Sequence, residues 1–589
     1  MKLSDYIISY LASLGIKHIF VLTGGAATHL VDSFKNRNDI KYICVQHEQA
    51  GAMAVDAYSR LSKSKLGAMI VTSGPGATNL ITGICCSWFD SIPCLFLTGQ
   101  VNTFESSGNT GVRQLGFQET DIVSIVKPIT KYAALVTEPE KIKYHLDKAV
   151  YIAKSGRPGP VLLDIPMNVQ RAEIDLTKLE SFKGSRVNYA DTGVVLRQKI
   201  KQVIKLIENA QRPIILAGAG IRLANATKEF RKMVELLKFP VIPSWAGSDL
   251  LPHAHHLRIG PMGVYGHRGA NFAIQNADLL ISIGSRIDTR MTGGKSETFC
   301  RRAKKIIVDI DPAELNKGRV IPDIAINSDA KEFINLLIEE LHNIKKPNIS
   351  SWIKKVKEWK AKYPICLPEY YKQKKLVNPY VFIKTLSEEL GEGEVIITDA
   401  GGNLTWTMQT FETKEGQRLF SAFGNSPMGY SFPASIGASI CLNKKPIVCI
   451  IGDGGFQINI QELETVVNYK LPIKIFIMNN HCYGIIKQFQ DMYFGSRYIA
   501  SDKEHGYSCP DFVKIARAYG IKAMSITNHK DLRKKIRTVL KSKGAVVCDV
   551  VMRDDEKLIP KLEFGKPIED LTPYLDRKEF LANMIIKSV

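Results

Sequence analysis

No apolar run in these 589 residues reaches the ~18 needed to cross a bilayer as a helix, which excludes a helical membrane span. The first residues are not expected to be a cleavable leader either. Ile7, Ile8, Leu11 and Leu14 share one helical face, with Ser4 as the expected cap, and lead directly into the strand-like run Ile19-Phe-Val-Leu22. None of the eleven cysteines has CxxC or His-paired spacing; Cys85 and Cys86 are adjacent, and Cys44, Cys94 and Cys449 sit in apolar runs. An odd count without a framework argues against disulfides and predicts a reducing, cytoplasmic setting. Tandem repeats and low-complexity tracts are absent as well. Acidic residues are the scarcer charge, 58 against 79 basic, giving +21. No aromatic–basic interleaving or DNA-binding motif accompanies that excess. The basic residues fall on separate helix-like stretches (301–305, 354–362, 533–543) and read as solvated faces rather than a nucleic-acid surface. Such a field favours anionic substrates.

What is present is an alternation of short β-rich apolar runs with amphipathic helical stretches, the pattern of parallel sheets covered by helices. The length is too great for one core. Composition shifts divide the chain into a first unit at 1–172, closing on Pro160-Val-Leu-Leu-Asp-Ile-Pro166, and a polar linker at 173–191. A second unit spans 190–345, opening with a helix at 195–210 and the strand Pro213–Ala217. A charged, Trp-containing connection covers 345–375, and a third unit spans 375–555. The tail, 556–589, carries Pro560, Pro567 and Pro573 and is expected to wrap over the surface. The predicted fold is α/β, three doubly wound parallel-sheet domains.

In the third unit the run Pro446-Ile-Val-Cys-Ile-Ile451 ends on Gly452-Asp453-Gly454-Gly455. A helix is expected through 462–469, and a second run, 473–478, ends on Asn479-Asn480. This strand–helix–strand unit brings Asp453 and Asn480 to the carboxyl ends of neighbouring strands, where open α/β sheets bind ligands. One carboxylate and one amide oxygen suit a hard cation such as Mg²⁺, which completes its shell with phosphate oxygens and water. In the first unit the strand at 41–45 leads into His47-Glu48-Gln49 and a helix of closely spaced alanines, with Glu48 in the first turn, where the helix dipole favours a carboxylate.

The third-unit motif resembles the thiamine-diphosphate signature. Its sequel, Asn480-His-Cys-Tyr-Gly484-Ile-Ile-Lys-Gln-Phe-Gln490, resembles the acetohydroxyacid (acetolactate) synthase version. The resemblance implies pyrimidine-binding, central FAD-binding-like and diphosphate-binding domains in that order. It implies Mg²⁺ held by Asp453, the Asn480 side chain and the main-chain carbonyl of Cys482, with Gly454, Gly455, Tyr483 and Gly484 around the diphosphate. Glu48 becomes the carboxyl group that exchanges a proton with the cofactor pyrimidine. Thr72-Ser-Gly-Pro75-Gly-Ala-Thr-Asn79 matches the family's pyrimidine-facing loop, so Thr72, Pro75 and Asn79 are cofactor candidates. Met428, in Pro427-Met428-Gly429-Tyr430, is the expected wedge that bends the cofactor, a task suited to an unbranched, polarisable side chain. Gly402-Asn403 stands where the family usually has Gln-His in its diphosphate-facing turn. Gln118, in Phe117-Gln118-Glu119, is an expected substrate contact.

In the second unit, Gly218-Ala219-Gly220, Gly284-Ser285-Arg286-Ile-Asp288-Thr-Arg290 and Asp309-Ile310-Asp-Pro312 each follow a strand. With Arg157, Gly263 and Asp329 they resemble the family's FAD site, and because the ligation requires no net redox change the flavin is expected to be structural. The resemblance implies decarboxylation of pyruvate and transfer of the two-carbon unit to a second 2-oxo acid, giving 2-acetolactate on a route to branched-chain amino acids. It also implies a homodimer or dimer of dimers with shared sites, and an optional regulatory subunit. The chain departs from the family pattern at several substrate-facing positions. Residues 102–116 form a longer connection carrying Arg113, Met167 replaces a lysine, Phe489 a tryptophan, and Thr23 a proline. These differences raise an alternative acceptor, such as a nucleotide-linked keto-sugar. A non-catalytic, nucleic-acid-associated relative is the third reading, opposed by Glu48, Asp453 and Asn480.

Overall fold

A computed structural model describes residues 1–185 and 189–589; the expected linker at 173–191 includes 186–188, which lie outside the described residues. The strands form three sheets, and all pairings between them are parallel. The first runs Lys41–Cys44, His18–Leu22, Gly67–Val71, Cys94–Gln100, Val161–Pro166, Tyr132–Leu135 across its width. The second runs Ile324–Asn327, Lys304–Asp309, Leu279–Ile283, Pro213–Ala217, Val241–Pro243. The third runs Arg418–Phe420, Val395–Thr398, Ile447–Gly452, Ile473–Asn479, Val546–Val551, Lys522–Ile526. Numbered from its own start, each outer sheet has the same strand order, 2-1-3-4-6-5. Central strands such as Cys94–Gln100 and Ile473–Asn479 are buried at every position, because helices cover both faces.

The helices after the second strands of the first and third units bring those units together. Helix Glu48–Leu61 is rich in small residues and packs on Ser431–Cys441 so closely that a Cβ on Gly437 would lie 1.9 Å from the Ala54 carbonyl oxygen. On its other side a Cβ on Gly83, in helix Ile81–Asp90, would lie 2.2 Å from the Ala52 side chain. A buried polar cluster pins this contact. Asp56 accepts from Arg60 (2.7 Å), Ser87 (3.0 Å) and the Tyr430 hydroxyl (2.5 Å), and Arg60 also reaches Asp90 (2.8 Å).

Four expectations about elements are corrected. Ser4 is not a cap. The helix is Leu3–Ser13, because the Leu3 N–H bonds to Ala172 and Lys2 bridges Glu173, which leaves Ser4 inside and buried. Residues 301–305 are not helical: Lys304–Asp309 is a strand, its β-branched run Ile306-Ile-Val308 pairing on both sides. The 345–375 segment is more than a connection. Within it, Ser350–Lys362 is a helix whose Trp352, Val356 and Trp359, at i, i+4 and i+7, enter the second unit's core. The tail does not merely cover the surface, since Leu562, Ile568, Leu571 and Phe580 join that same core. Its Glu569 is buried against Arg301 (2.9 Å) and Gln275 (2.6 Å). The helix expected at 462–469 is present as Leu463–Asn468, preceded by the short helices Asp453–Ile458 and Ile460–Glu462.

Candidate active site

Strands Ile447–Gly452 and Ile473–Asn479 are neighbours in register, Gly452 opposite Met478, so Asp453 and Asn480 emerge side by side at their carboxyl ends. Asp453 is 4% exposed. Its Oδ1 accepts the Gly454 N–H (3.0 Å), while its Oδ2 is buried with no hydrogen-bond partner among the described residues. Burial pushes this carboxyl up to about 7. A buried carboxylate oxygen without a donor is costly, and a divalent cation removes that cost. Asn480 is buried, and its amide nitrogen would lie 2.4 Å from a Cβ on Gly484, so a side chain there would push the amide aside. Cys482 turns its thiol onto the Asp554 carbonyl (3.4 Å), while its own carbonyl accepts the Gly484 N–H (3.0 Å).

Two side chains converge on Gly454. A Cβ there would lie 2.7 Å from the Tyr483 ring and 3.0 Å from the Met428 methyl; on Gly455 it would meet Asp399 Oδ2 at 2.3 Å. The bare backbone therefore forms a cradle that any side chain would fill. Asp399, which burial pushes up to about 6, accepts the N–H groups of Gly429 (2.9 Å) and Ser431 (2.8 Å) and so fixes the turn carrying Met428. Gly402 lies over Trp406, where a Cβ would come within 2.9 Å of the ring. Asn403 is turned inward: its side chain accepts from Thr398 and Asp399 and donates to Ala400, closing its own turn.

The second cluster surrounds Glu48, which is 7% exposed. Asn79 donates to its Oε2 (3.0 Å), and a Cβ on Gly76 would lie 3.6 Å from its Oε1. Thr72 accepts the Ala26 N–H (3.1 Å), and Pro75 starts the short helix Pro75–Thr78. Gln118 adopts a left-handed backbone (φ 63°), and its carbonyl oxygen would lie 2.9 Å from a Cβ on Gly74. Thr72, Pro75, Asn79, Gln118 and Glu48 thus meet in one place. No hydrogen bond among the described residues joins this cluster to Asp453, Met428 or Asn480.

Two residues that shape these clusters carried no assigned role in the sequence. Glu462 is fully buried and pushed up to about 7 by burial; it accepts the N–H groups of Gln46 (2.9 Å) and His47 (3.0 Å), just ahead of Glu48. Glu119 gathers the loop before Gln118 by accepting from the N–H groups of Ser107 (2.6 Å) and Leu115 (2.9 Å) and the hydroxyl of Ser106 (3.0 Å). Burial acts to raise its carboxyl, but these donors together bring it down to about 2. A lone glutamate gives no sequence signal of such tertiary bonds; only the Phe-Gln-Glu context hinted at the second.

A cavity of ≈ 1440 Å³ lies where the three units meet. Ala219, Gly220, Gly284, Arg286, Asp288 and Arg290 line it from the second unit, with Asp309, Ile310 and Asp329 deeper and Arg157 from the first. Gly218 stands behind this wall, where a Cβ would strike the Gly284 carbonyl at 1.9 Å. Gly263 likewise backs onto the Arg290 carbonyl (2.3 Å from its Cβ position) with φ 112°. Burial pushes Asp309 up to about 6. Arg157 donates to Asp311 and Glu314 (both 2.9 Å), and Asp329 caps helix Ala330–Glu340. The volume exceeds the usual ~300–1,000 Å³ of a pocket for one drug-sized ligand. Of the departing positions, Arg113 is exposed in the 102–116 loop, and Phe489 packs edge-on against Phe564 of the tail (5.6 Å).

Known proteins share this organisation. Three family models match: "Thiamine pyrophosphate enzyme, N-terminal TPP binding domain" over 1–125, its central domain over 200–337 and its C-terminal TPP binding domain over 399–550. The chain is 36% identical over 570 residues to the acetolactate synthase large subunit of Cyanidium caldarium, covering 95% of this chain and 94% of the relative. It is 36% identical over 558 residues to that of Porphyra purpurea (94% and 92%). It is also 36% identical over 565 residues to a probable acetolactate synthase large subunit of Methanocaldococcus jannaschii (95% and 93%). The matches span all three sheets and both clusters, and the chain belongs to the thiamine pyrophosphate enzymes, in the acetolactate synthase large-subunit family.

Proposed function

We propose that this protein decarboxylates pyruvate and joins the resulting two-carbon unit to a second 2-oxo acid, releasing CO₂ and 2-acetolactate. The observation that carries the reading is the orphaned Oδ2 of Asp453 beside the bare backbone of Gly454 and Gly455, a donor set that fits Mg²⁺ and a diphosphate. When bound, thiamine diphosphate supplies the electron sink that lets the carboxylate leave as CO₂. Asp453, Asn480 and the Cys482 carbonyl would hold the cation, and Gly454, Gly455, Tyr483 and Gly484 would leave room for the diphosphate. Glu48 exchanges a proton with the aminopyrimidine through Oε1, while the Asn79 amide keeps Oε2 oriented. Met428, fixed through Asp399, would pack against the cofactor, and Gln118 would orient the incoming oxo acid.

The lack of any hydrogen bond between the two clusters among the described residues fits a site shared between two copies, in which Glu48 of one would serve the cofactor held by Asp453 of the other. The relatives' designation as large subunits supports an accessory regulatory subunit. The glycine walls and the buried Asp309 fit FAD in the central cavity, with Arg286, Asp288 and Arg290 at its rim. The keto-sugar acceptor is not favoured by relatives named for acetolactate synthesis.

The test is to incubate purified protein with labelled pyruvate, thiamine diphosphate, Mg²⁺ and FAD and to identify products by mass spectrometry. Labelled acetolactate is expected. Release of CO₂ only when a keto-sugar is added would overturn the reading.

A further inference from the structure

Beyond the expected cofactor residues, one tyrosine lies at the same spot. Tyr507 follows helix Gly484–Tyr493 in the chain and is 5% exposed. Its ring packs on Tyr483 with centroids 4.4 Å apart, and Tyr483 in turn lies against Gly454. The segment is anchored on both sides of the tyrosine: Tyr483 N–H donates to Ser501 (2.8 Å), Tyr507 N–H to Asp502 (2.9 Å), and the Gln457 amide to Ser508 (3.1 Å). Gln457 belongs to the helix that begins with Asp453, so this segment is held to the cation-side helix itself.

The Tyr507 hydroxyl is buried without a hydrogen-bond partner, and so is Asp453 Oδ2. A tyrosine phenol is a neutral donor at physiological pH. A buried phenol O–H and a nearby buried carboxylate oxygen, neither with a partner at good hydrogen-bond geometry, match a ligand offering both an acceptor oxygen and a cation. A cation-bound diphosphate is such a ligand, and a neutral donor to a charged oxygen makes one of the stronger hydrogen bonds. The phenol is held by ring packing, so little side-chain freedom is lost when it bonds.

We propose that Tyr507 is a positioning residue of the cofactor site that donates its O–H to an oxygen of the Mg²⁺-bound diphosphate. This rests on the thiamine-diphosphate reading above. Tyr507→Phe keeps the ring against Tyr483 and removes only the donor. Thiamine diphosphate titrated by calorimetry into wild-type and Y507F protein at saturating Mg²⁺ should bind ~10-fold more weakly to the variant. The melting temperature of the cofactor-free variant should match that of wild type. Thiamine monophosphate, whose single phosphate cannot reproduce the full contact set, should show a smaller difference between the two proteins. Equal affinity for thiamine diphosphate would overturn the assignment, as would a loss accompanied by a lower melting temperature without cofactor, the mark of a structural role. Wild-type protein that bound no thiamine diphosphate would instead overturn the functional reading and this inference together.

Discussion

Glu48 and Asp164 are both buried carboxyl groups in the first unit, yet their surroundings assign them different work. Glu48 has one oxygen occupied by Asn79 and the other beside the glycine-rich turn, an arrangement suited to proton exchange. Glu48→Gln keeps the shape and removes the exchangeable proton. Its rate of CO₂ release from pyruvate is expected to fall ~100-fold or more, with thiamine diphosphate still bound; an unchanged rate in a decarboxylation assay would refute the role. Asp164, in contrast, lies within strand Val161–Pro166 with both oxygens taken, by Thr98 (2.6 Å) and Gln100 (2.8 Å). Burial pushes it up to about 7. The folded chain therefore keeps this proton across a range where the unfolded chain has released it, and stability falls as pH rises from about 4 to about 7. Asp164→Asn removes that dependence. Relative to the parent, the variant should gain about 1 kcal/mol between pH 6 and pH 8, read from urea melts at the two values; a pH-independent difference would sink the assignment.

Among elements, the helix pair Glu48–Leu61 and Ser431–Cys441 tolerates the least change. Gly437→Val would drive a side chain into the Ala54 backbone, which neither helix can vacate. A loss of about 3 kcal/mol is expected in chemical denaturation; a change below about 0.5 kcal/mol would show that the contact is looser than described. Much at this scale was legible in the sequence. Runs such as 446–451 and 473–478 are continuous and β-branched, they end on Gly-Asp or Asn-Asn, and the strands stop where expected. The small-residue spacing of 50–57 announced a close helix contact. The 354–362 stretch was legible as helical, but its place in the second unit's core was not, because its lysines mark a solvated face and only Trp352, Val356 and Trp359 carry the buried one. The role of Glu462 was illegible for another reason. Its partners are backbone N–H groups more than four hundred positions earlier, and no local pattern encodes a bond to a main chain that distant.

At the level of the whole molecule, three sheets are held together by contacts that cross unit boundaries, and the tail is one of them. Ending the chain at Glu556 would expose the surface now covered by Leu562, Ile568, Leu571 and Phe580 and strand Arg301 and Gln275 without Glu569. The second unit should lose on the order of 5 kcal/mol, seen as early proteolysis between 200 and 337 while the first unit stays resistant; uniform resistance would mean that the tail is dispensable. The central cavity is the other crossing point, since Arg60 and Phe89 of the first unit, Gly220 and Gly284 of the second and Arg418 and Phe420 of the third all border it. A molecule seated there touches every part of the protein at once and acts as a keystone. At a hundred times its dissociation constant, such a guest adds about 2.7 kcal/mol to the folded assembly. The flavin proposed for that seat would brace the fold from within, so that the amount of intact enzyme a cell maintains would track its flavin supply.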